Sequence, residues 1–235
     1  GHCRLEERQI YTEVNMHYSF IKLYSNKLFL VLETSFLFIL PLVVLKIYPS
    51  LYRLRTIAMI VALPYLILVM KTVGISRKKL GISLQNFLQS VRSLIFPSII
   101  CISIIFLTFR YFPSIFDIYT LNSMRNIVSI TNPFLHVVFT YAIVSAPLQE
   151  LLFRAFLTSR LELISQNKYF LIVYTSLIFM SIHLPLQNFF ITVGALLLGI
   201  FWEINFIKYR NIVSISLSHA LIGGFFVYNL LLIRG

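Results

Sequence analysis

Seven runs of mostly apolar residues leave this chain few ways to fold. They are Leu28 to Ile47, about Ile57 to Met70, about Ser93 to Leu107, Pro133 toward Leu163, about Tyr169 to Leu184, about Phe189 to Phe206 and about Ile212 to Leu232. A helix needs about 20 mostly apolar residues to cross a roughly 30 Å hydrocarbon core, and within lipid it must satisfy its own backbone N–H and C=O groups. The expectation is an all-α, polytopic transmembrane bundle of about seven spans. Composition agrees, with 58% of residues hydrophobic and 12% charged, where an average soluble domain has about 25% charged. The 235 residues divide into a polar tail over 1–27 and a single bundle over 28–235.

Twenty Lys and Arg against eight Asp and Glu give a formal charge of +12. In a soluble protein that excess suggests a nucleic-acid partner, but here the basic residues lie between the apolar runs and no basic helix or aromatic nucleic-acid motif accompanies them. Membrane lipid is the expected partner and nucleic acid is not. Lys71, Arg77, Lys78 and Lys79 make the loop after the second run the most basic of all. The rule that Lys and Arg concentrate on the inner side then puts the N-terminus in the cytoplasm and, with seven spans, the C-terminus outside. A cell membrane, plasma or inner, is the expected location. The first run is read as a span, because it is long for a signal peptide and is followed by Lys46 and Tyr48-Pro49 instead of small residues. Cys3 and Cys101 support neither a disulfide framework nor a cysteine metal site.

Some polar residues interrupt the apolar runs. Glu33, near the start of the first, reads as an interfacial residue. Gln149, Glu150 and Arg154 fall inside the fourth, His183 near the end of the fifth and His219 inside the seventh. An ionisable side chain in a bilayer costs roughly 2.5–3.5 kcal/mol at the helix centre, so it usually faces a bundle interior and serves a function. A carboxylate and two imidazoles on three helices can converge on one water or one metal. A plainer alternative is that Glu150 and Arg154, four apart on one helix face, form an ion pair that only holds the bundle. Depth raises a further question. His219 lies roughly 12 Å into its span and His183 near the far end of another, so convergence calls for tilt, a longer fourth or fifth helix, a helix broken at Pro185 or, before these, a span boundary placed elsewhere. No His-Glu-x-x-His run, nucleotide-binding glycine pattern or Gly-flanked serine elbow is present.

Three ordered motifs carry a resemblance. Gln149-Glu150-Leu151-Leu152-Phe153-Arg154, Phe179-x-x-x-His183 and Ser218-His219 resemble the Glu-Glu-x-x-x-Arg, Phe-x-x-x-His and His-x-x-x-Asn/Asp motifs of the CPBP family. These are intramembrane proteases of the CAAX prenyl endopeptidase and bacteriocin-processing (Abi) type. The resemblance covers about Leu80 to Leu232 and takes in the glycine-spaced segment with Gly194, Gly199 and Glu203. It implies a helical bundle that hydrolyses a peptide bond of a membrane-associated protein or peptide through a water activated by glutamate and histidine. Glu150, His183, His219 and Gln149 are then the candidate catalytic residues, with Arg154, Phe179 and Gly223 supporting them. His183 and His219 are candidate ligands for a zinc ion, and a metal-free general base is equally compatible with these residue types.

Two positions depart from the family pattern. Gln149 stands where the first glutamate is expected, and an amide cannot accept a proton, although it can orient a water. Gly223 stands where the family has Asn or Asp, the residue that helps hold the oxyanion. One reading keeps hydrolysis, with Glu150 as the base; on a helix, however, Gln149 and Glu150 point about 100° apart. The alternative is a catalytically silent CPBP-fold scaffold or immunity protein. A third class, a solute transporter using the same polar residues, lacks the paired broken helices and inverted repeats of such proteins. The sequence leaves the substrate, its prenylation and the oligomeric state open.

Overall fold

The computed structural model describes residues 19–116 and 132–232. Cys3, most of the expected tail, and Asp117 and Arg125 of the long link lie outside the described residues. Within them are seven helices long and apolar enough to cross a membrane: α1 (Lys27–Ile47), α2 (Arg55–Thr72), α3 (Phe87–Tyr111), α4 (Pro133–Leu161), α5 (Lys168–Leu186), α6 (Phe189–Tyr209) and α7 (Ile212–Leu232). A short helical segment over 19–24 precedes α1, and no strand occurs among the described residues. The chain is an all-α polytopic membrane bundle.

Helices α2 and α3 run longer than their apolar cores, because the flanking Arg55, Lys71, Arg92 and Arg110 continue the helix instead of ending it. Long basic side chains can do this by reaching from a buried stem toward the interface. Turns occupy the chain just before α3, which begins at Phe87 and carries Arg92 in its second turn.

Asparagines set most of the helix starts. Asn26, Asn132, Asn167, Asn188 and Asn211 each accept a backbone N–H of the following first turn. A side-chain oxygen there satisfies a donor that has no partner within the helix, an interaction worth about 1 kcal/mol.

Two helices are locally wide. A π-helical stretch covers Ser35–Ile39 in α1, ahead of Pro41, and another covers Val137–Ser145 in α4, ahead of Pro147. Proline cannot donate to the carbonyl four residues back, and the hydrogen-bond ladder shifts in the preceding turns. Leu151–Thr158 is a third wide stretch, in which the Thr158 hydroxyl oxygen lies 3.1 Å from the Phe153 carbonyl oxygen. The five residues Ala146–Glu150 between the α4 stretches keep ordinary α geometry.

The core is built on α4–α7. Helices α5 and α6 pack closely, and α7 packs against both α3 and α4. A Cβ on Gly199 would come within 3.3 Å of the Ser176 backbone, so the glycine is what allows α5 and α6 this approach. The α3–α7 seam is polar, with Ser98 and Ser218 hydroxyls 2.9 Å apart and Ser90 bonded to Ser214 and to Asn205 of α6. Phe153, Phe156, Phe179, Trp202, Phe206 and Ile215 fill the space between.

Glu33, expected near the interface, faces the interior of the bundle. It is buried, with Oε2 2.8 Å from Arg160 Nη2, and its Oε1 accepts a hydrogen bond from the Tyr65 hydroxyl at 2.6 Å. The Arg160 guanidinium also donates to the Tyr24 carbonyl.

Candidate active site

Glu150 occupies the last α-helical position before α4 widens, and it has no exposed surface. Its Oε1 lies 2.6 Å from His219 Nδ1 on α7. Carboxylate oxygens accept, so Nδ1 carries the hydrogen of this contact. On the other side, Glu150 Oε2 lies 3.2 Å from Arg154 Nε. That contact is an ion pair without hydrogen-bond alignment, since neither atom has a hydrogen-bond partner.

Arg154 is likewise fully enclosed. Its Nη2 donates to the Gly199 carbonyl at 3.3 Å, and its guanidinium lies 4.5 Å from the centre of the Phe179 ring. A second carboxylate, Glu203 of α6, has Oε2 3.7 Å from Arg154 Nε and accepts the Thr158 hydroxyl on Oε1 at 2.7 Å. A guanidinium between two carboxylates offsets much of what burying either would cost. Glu203 was visible in the sequence only as part of the glycine-spaced helix, and Thr158 gave no signal.

Packing fixes the histidine ring. Trp202 stacks on His219 at 4.4 Å between centroids and donates its indole N–H to Ser218 at 3.0 Å. His183 follows the end of regular α5, where the chain turns through the 3₁₀ segment Leu184–Leu186 containing Pro185. Regular α-helix ends at Ser181, ahead of Pro185. His183 Nδ1 donates to the Phe179 carbonyl at 2.9 Å, and the Phe179 ring lies 5.0 Å from His183 and 5.8 Å from His219. Phe179 thus stands between the two imidazoles.

One cavity of about 860 Å³ reaches these groups, lined mainly by apolar side chains of the bundle. Gln149, His183, His219, Tyr141, Trp202 and Gly223 lie on its wall; Glu150 and Arg154 do not. Gln149 and Glu150 point apart as helix geometry requires, with the Gln149 amide donating to Ser145 at 3.2 Å. The structure brings Glu150, Arg154, Phe179 and His219 into one contact network. His183, bonded to the Phe179 carbonyl, and Gln149 share the cavity with His219 without a direct hydrogen bond to Glu150, Arg154 or His219.

Gly223 faces Tyr141. A Cβ at 223 would fall 2.0 Å from the Tyr141 hydroxyl oxygen and 2.8 Å from its ring. The phenol thus occupies the space that a side chain at 223 would take. Tyr141 was not apparent in the sequence, because a tyrosine in an apolar run carries no motif.

The zinc expectation was tested on the donor set. Among the described residues no three His, Cys, Asp or Glu gather as metal ligands. Glu150 lies off the cavity wall and is shared between His219 and Arg154. A catalytic zinc takes three protein ligands and a water. These residues do not fit one.

Residues 131–225 match the family model described as type II CAAX prenyl endopeptidase Rce1-like. Over these residues the chain is similar to the CAAX-endopeptidase branch of the CPBP family. The match takes in all three motifs, from Gln149 through His183 to His219 and Gly223, and therefore both departures as well. No curated protein and no solved structure matches the chain. The matched stretch sits in a multi-pass membrane bundle.

Proposed function

We propose that this protein is an intramembrane endopeptidase of the CAAX-protease type, in which the Glu150–His219 pair activates water. The observation that carries the reading is the 2.6 Å contact between Glu150 Oε1 and His219 Nδ1. A buried carboxylate on Nδ1 holds the imidazole in one tautomer and stabilises the imidazolium formed when Nε2 takes a proton. The base is then His219, with Glu150 acting from behind it, a different division of labour from one in which Glu150 meets the water itself.

In this reading a substrate carbonyl enters the cavity beside His219. Nε2 removes a proton from water as the water oxygen bonds to the carbonyl carbon, and the same proton later goes to the departing amine. The Gln149 amide and His183 Nε2 orient the water; neither needs to ionise. Tyr141 is the hydroxyl donor available to the developing oxyanion, in the space that Gly223 leaves. One such donor elsewhere contributes about 2.7–4 kcal/mol. Arg154, held by Gly199 and Glu203, fixes Glu150. The reaction needs no metal, and the N-terminus faces the cytoplasm of a cell membrane.

The test is cleavage of a fluorogenic membrane peptide by purified protein in nanodiscs. Activity lost in Glu150→Gln and His183→Ala supports the site; equal cutting by parent and variants overturns it.

A second reading, a silent CPBP-fold scaffold or immunity protein, is favoured by Gln149 and by the complete enclosure of Glu150. Cell-level function would then survive Glu150→Gln. Restoring the family pattern is informative only as a triple change, Gln149→Glu, Gly223→Asn and Tyr141→Ala, because the phenol otherwise blocks position 223.

A further inference from the structure

A second cavity, of about 370 Å³, shares no wall residue with the apolar one, and every residue on its wall has a polar side chain. It lies at one end of the bundle, where α4 and α6 finish and α3 and α7 begin. Lys78 and Lys79 reach it from the link between α2 and α3, Glu162 from just beyond α4, and Arg210 from the turn between α6 and α7. Three cations thus share the wall with one carboxylate. Glu162 gathers them, with Oε2 3.5 Å from Lys79 Nζ and Oε1 accepting from Arg210 Nη2, but a single carboxylate cannot neutralise all three. Burial, and after it the charge of Arg210, lowers the pKa of the Lys79 ammonium.

The protein's own hydrogen bonds hold this wall in place. Asn211 donates to the Ser83 and Gln85 carbonyls at 2.8 and 3.0 Å, the Ile212 N–H to the Gly81 carbonyl at 3.1 Å, and Arg210 Nη1 to the Lys79 carbonyl at 3.4 Å. Gly81, at φ +71°, lies so close to the α6–α7 turn that a Cβ there would meet the Arg210 carbonyl oxygen at 3.1 Å. Arg210 itself takes a left-handed φ of 49°. For a long side chain that conformation is strained, and it persists where the surroundings hold it.

The chemistry that suits such a wall is a phosphate, whose free oxygens can meet a guanidinium fork and separate ammonium groups at once. The outer side of the same link points to its source. Ser83 and Gln85 line the pocket, while the alternate residues Ile82 and Leu84 are 45% and 75% exposed, and Leu88 at the start of α3 is 65% exposed. Apolar side chains beside a basic pocket at the helix ends match a lipid, with acyl chains next to a headgroup. Basic pockets between membrane helices take anionic headgroups in this way.

We infer that Lys78, Lys79 and Arg210 bind the phosphate of an anionic phospholipid, whose acyl chains lie against Leu84 and Leu88. Neither the site nor its ligand depends on the hydrolase reading. The headgroup would join the end of α4 to the α6–α7 turn, and so brace the helices that carry Glu150 and His219.

The experiment is native mass spectrometry of the full chain, released from detergent micelles that hold phosphatidylglycerol and phosphatidylcholine in equal amounts. The wild type should retain phosphatidylglycerol at least about 10-fold in preference to phosphatidylcholine. In Lys79→Gln with Arg210→Gln the ratio should fall to near one. Lys71→Gln with Arg77→Gln removes the same charge from exposed positions off the wall and should keep the wild-type ratio. If the pocket double variant does not fold, Lys78→Gln decides the matter, because that side chain is exposed; a ratio reduced at least about threefold is expected. Equal retention of the two lipids by the wild type overturns the proposal. So does a wild-type ratio in the pocket variants, and so does equal loss in both double variants, which would assign the preference to the overall charge of that face. Thermal unfolding separates the two sources of phosphate. Phosphatidylglycerol should raise the unfolding temperature of the wild type and not of Lys78→Gln, and millimolar inorganic phosphate should raise neither. Stabilisation of the wild type by inorganic phosphate alone would assign the pocket to a soluble phosphate and overturn the lipid assignment.

Discussion

Glu150 Oε1 and His219 Nδ1 lie 2.6 Å apart, joining α4 to α7 through one charge-assisted hydrogen bond behind the cavity wall. On the proposed reading Glu150 works through His219, so the two should fail as a unit. Glu150→Gln and His219→Ala are each expected to lower kcat by about 10²–10⁴-fold, and the double variant by little more than the worse single change. Multiplying losses in the double variant would show that the residues act separately.

Arg154 balances two buried carboxylates. Arg154→Met should destabilise the bundle by about 3–5 kcal/mol, the usual cost of removing one partner from a buried pair, read as a lower unfolding temperature in detergent. Arg154→Lys should recover only part of this. A lysine cannot reach the Gly199 carbonyl and both carboxylates with a rigid fork.

At position 223 the obstacle is steric. Gly223→Ala should cost about 1–3 kcal/mol as the phenol is displaced. Adding Tyr141→Ala should recover stability without recovering turnover. Stability unchanged by Gly223→Ala alone would mean that Tyr141 is not held in that space.

The Glu33–Arg160 pair lies outside the catalytic network. Glu33→Gln should lower stability, since Arg160 loses its carboxylate, while the activity of molecules that remain folded stays close to the parent's. Thermal unfolding together with activity per active molecule separates the two effects.

Metal chelators should leave turnover unchanged, because water activation is assigned to His219 with Glu150. Loss on chelation and recovery with zinc would contradict that assignment.

Much of the bundle was legible in the sequence. Span seven was expected at Ile212 to Leu232 and α7 has those bounds, because apolar length and the constraint of lipid leave little freedom. The ends of α2 and α3 were harder to read, since a lysine or arginine can end a helix or continue it with the same composition. Within the site, Gln149, Glu150, Arg154, His183 and His219 stood out as polar residues in apolar runs. Their division between cavity wall and interior depends on rotation about α4, which two adjacent letters do not convey. Tyr141 was hidden for a different reason. It is a tyrosine in an apolar run, and only the fold puts it on the cavity.

The most direct measurement is mass spectrometry of a membrane peptide incubated with the purified protein in H₂¹⁸O. The expected result is a single new C-terminus carrying one ¹⁸O atom from the attacking water, formed by the wild type and absent with Glu150→Gln and with His219→Ala. No new C-terminus with the wild type, or one that both variants produce equally, would contradict hydrolysis by the Glu150–His219 pair.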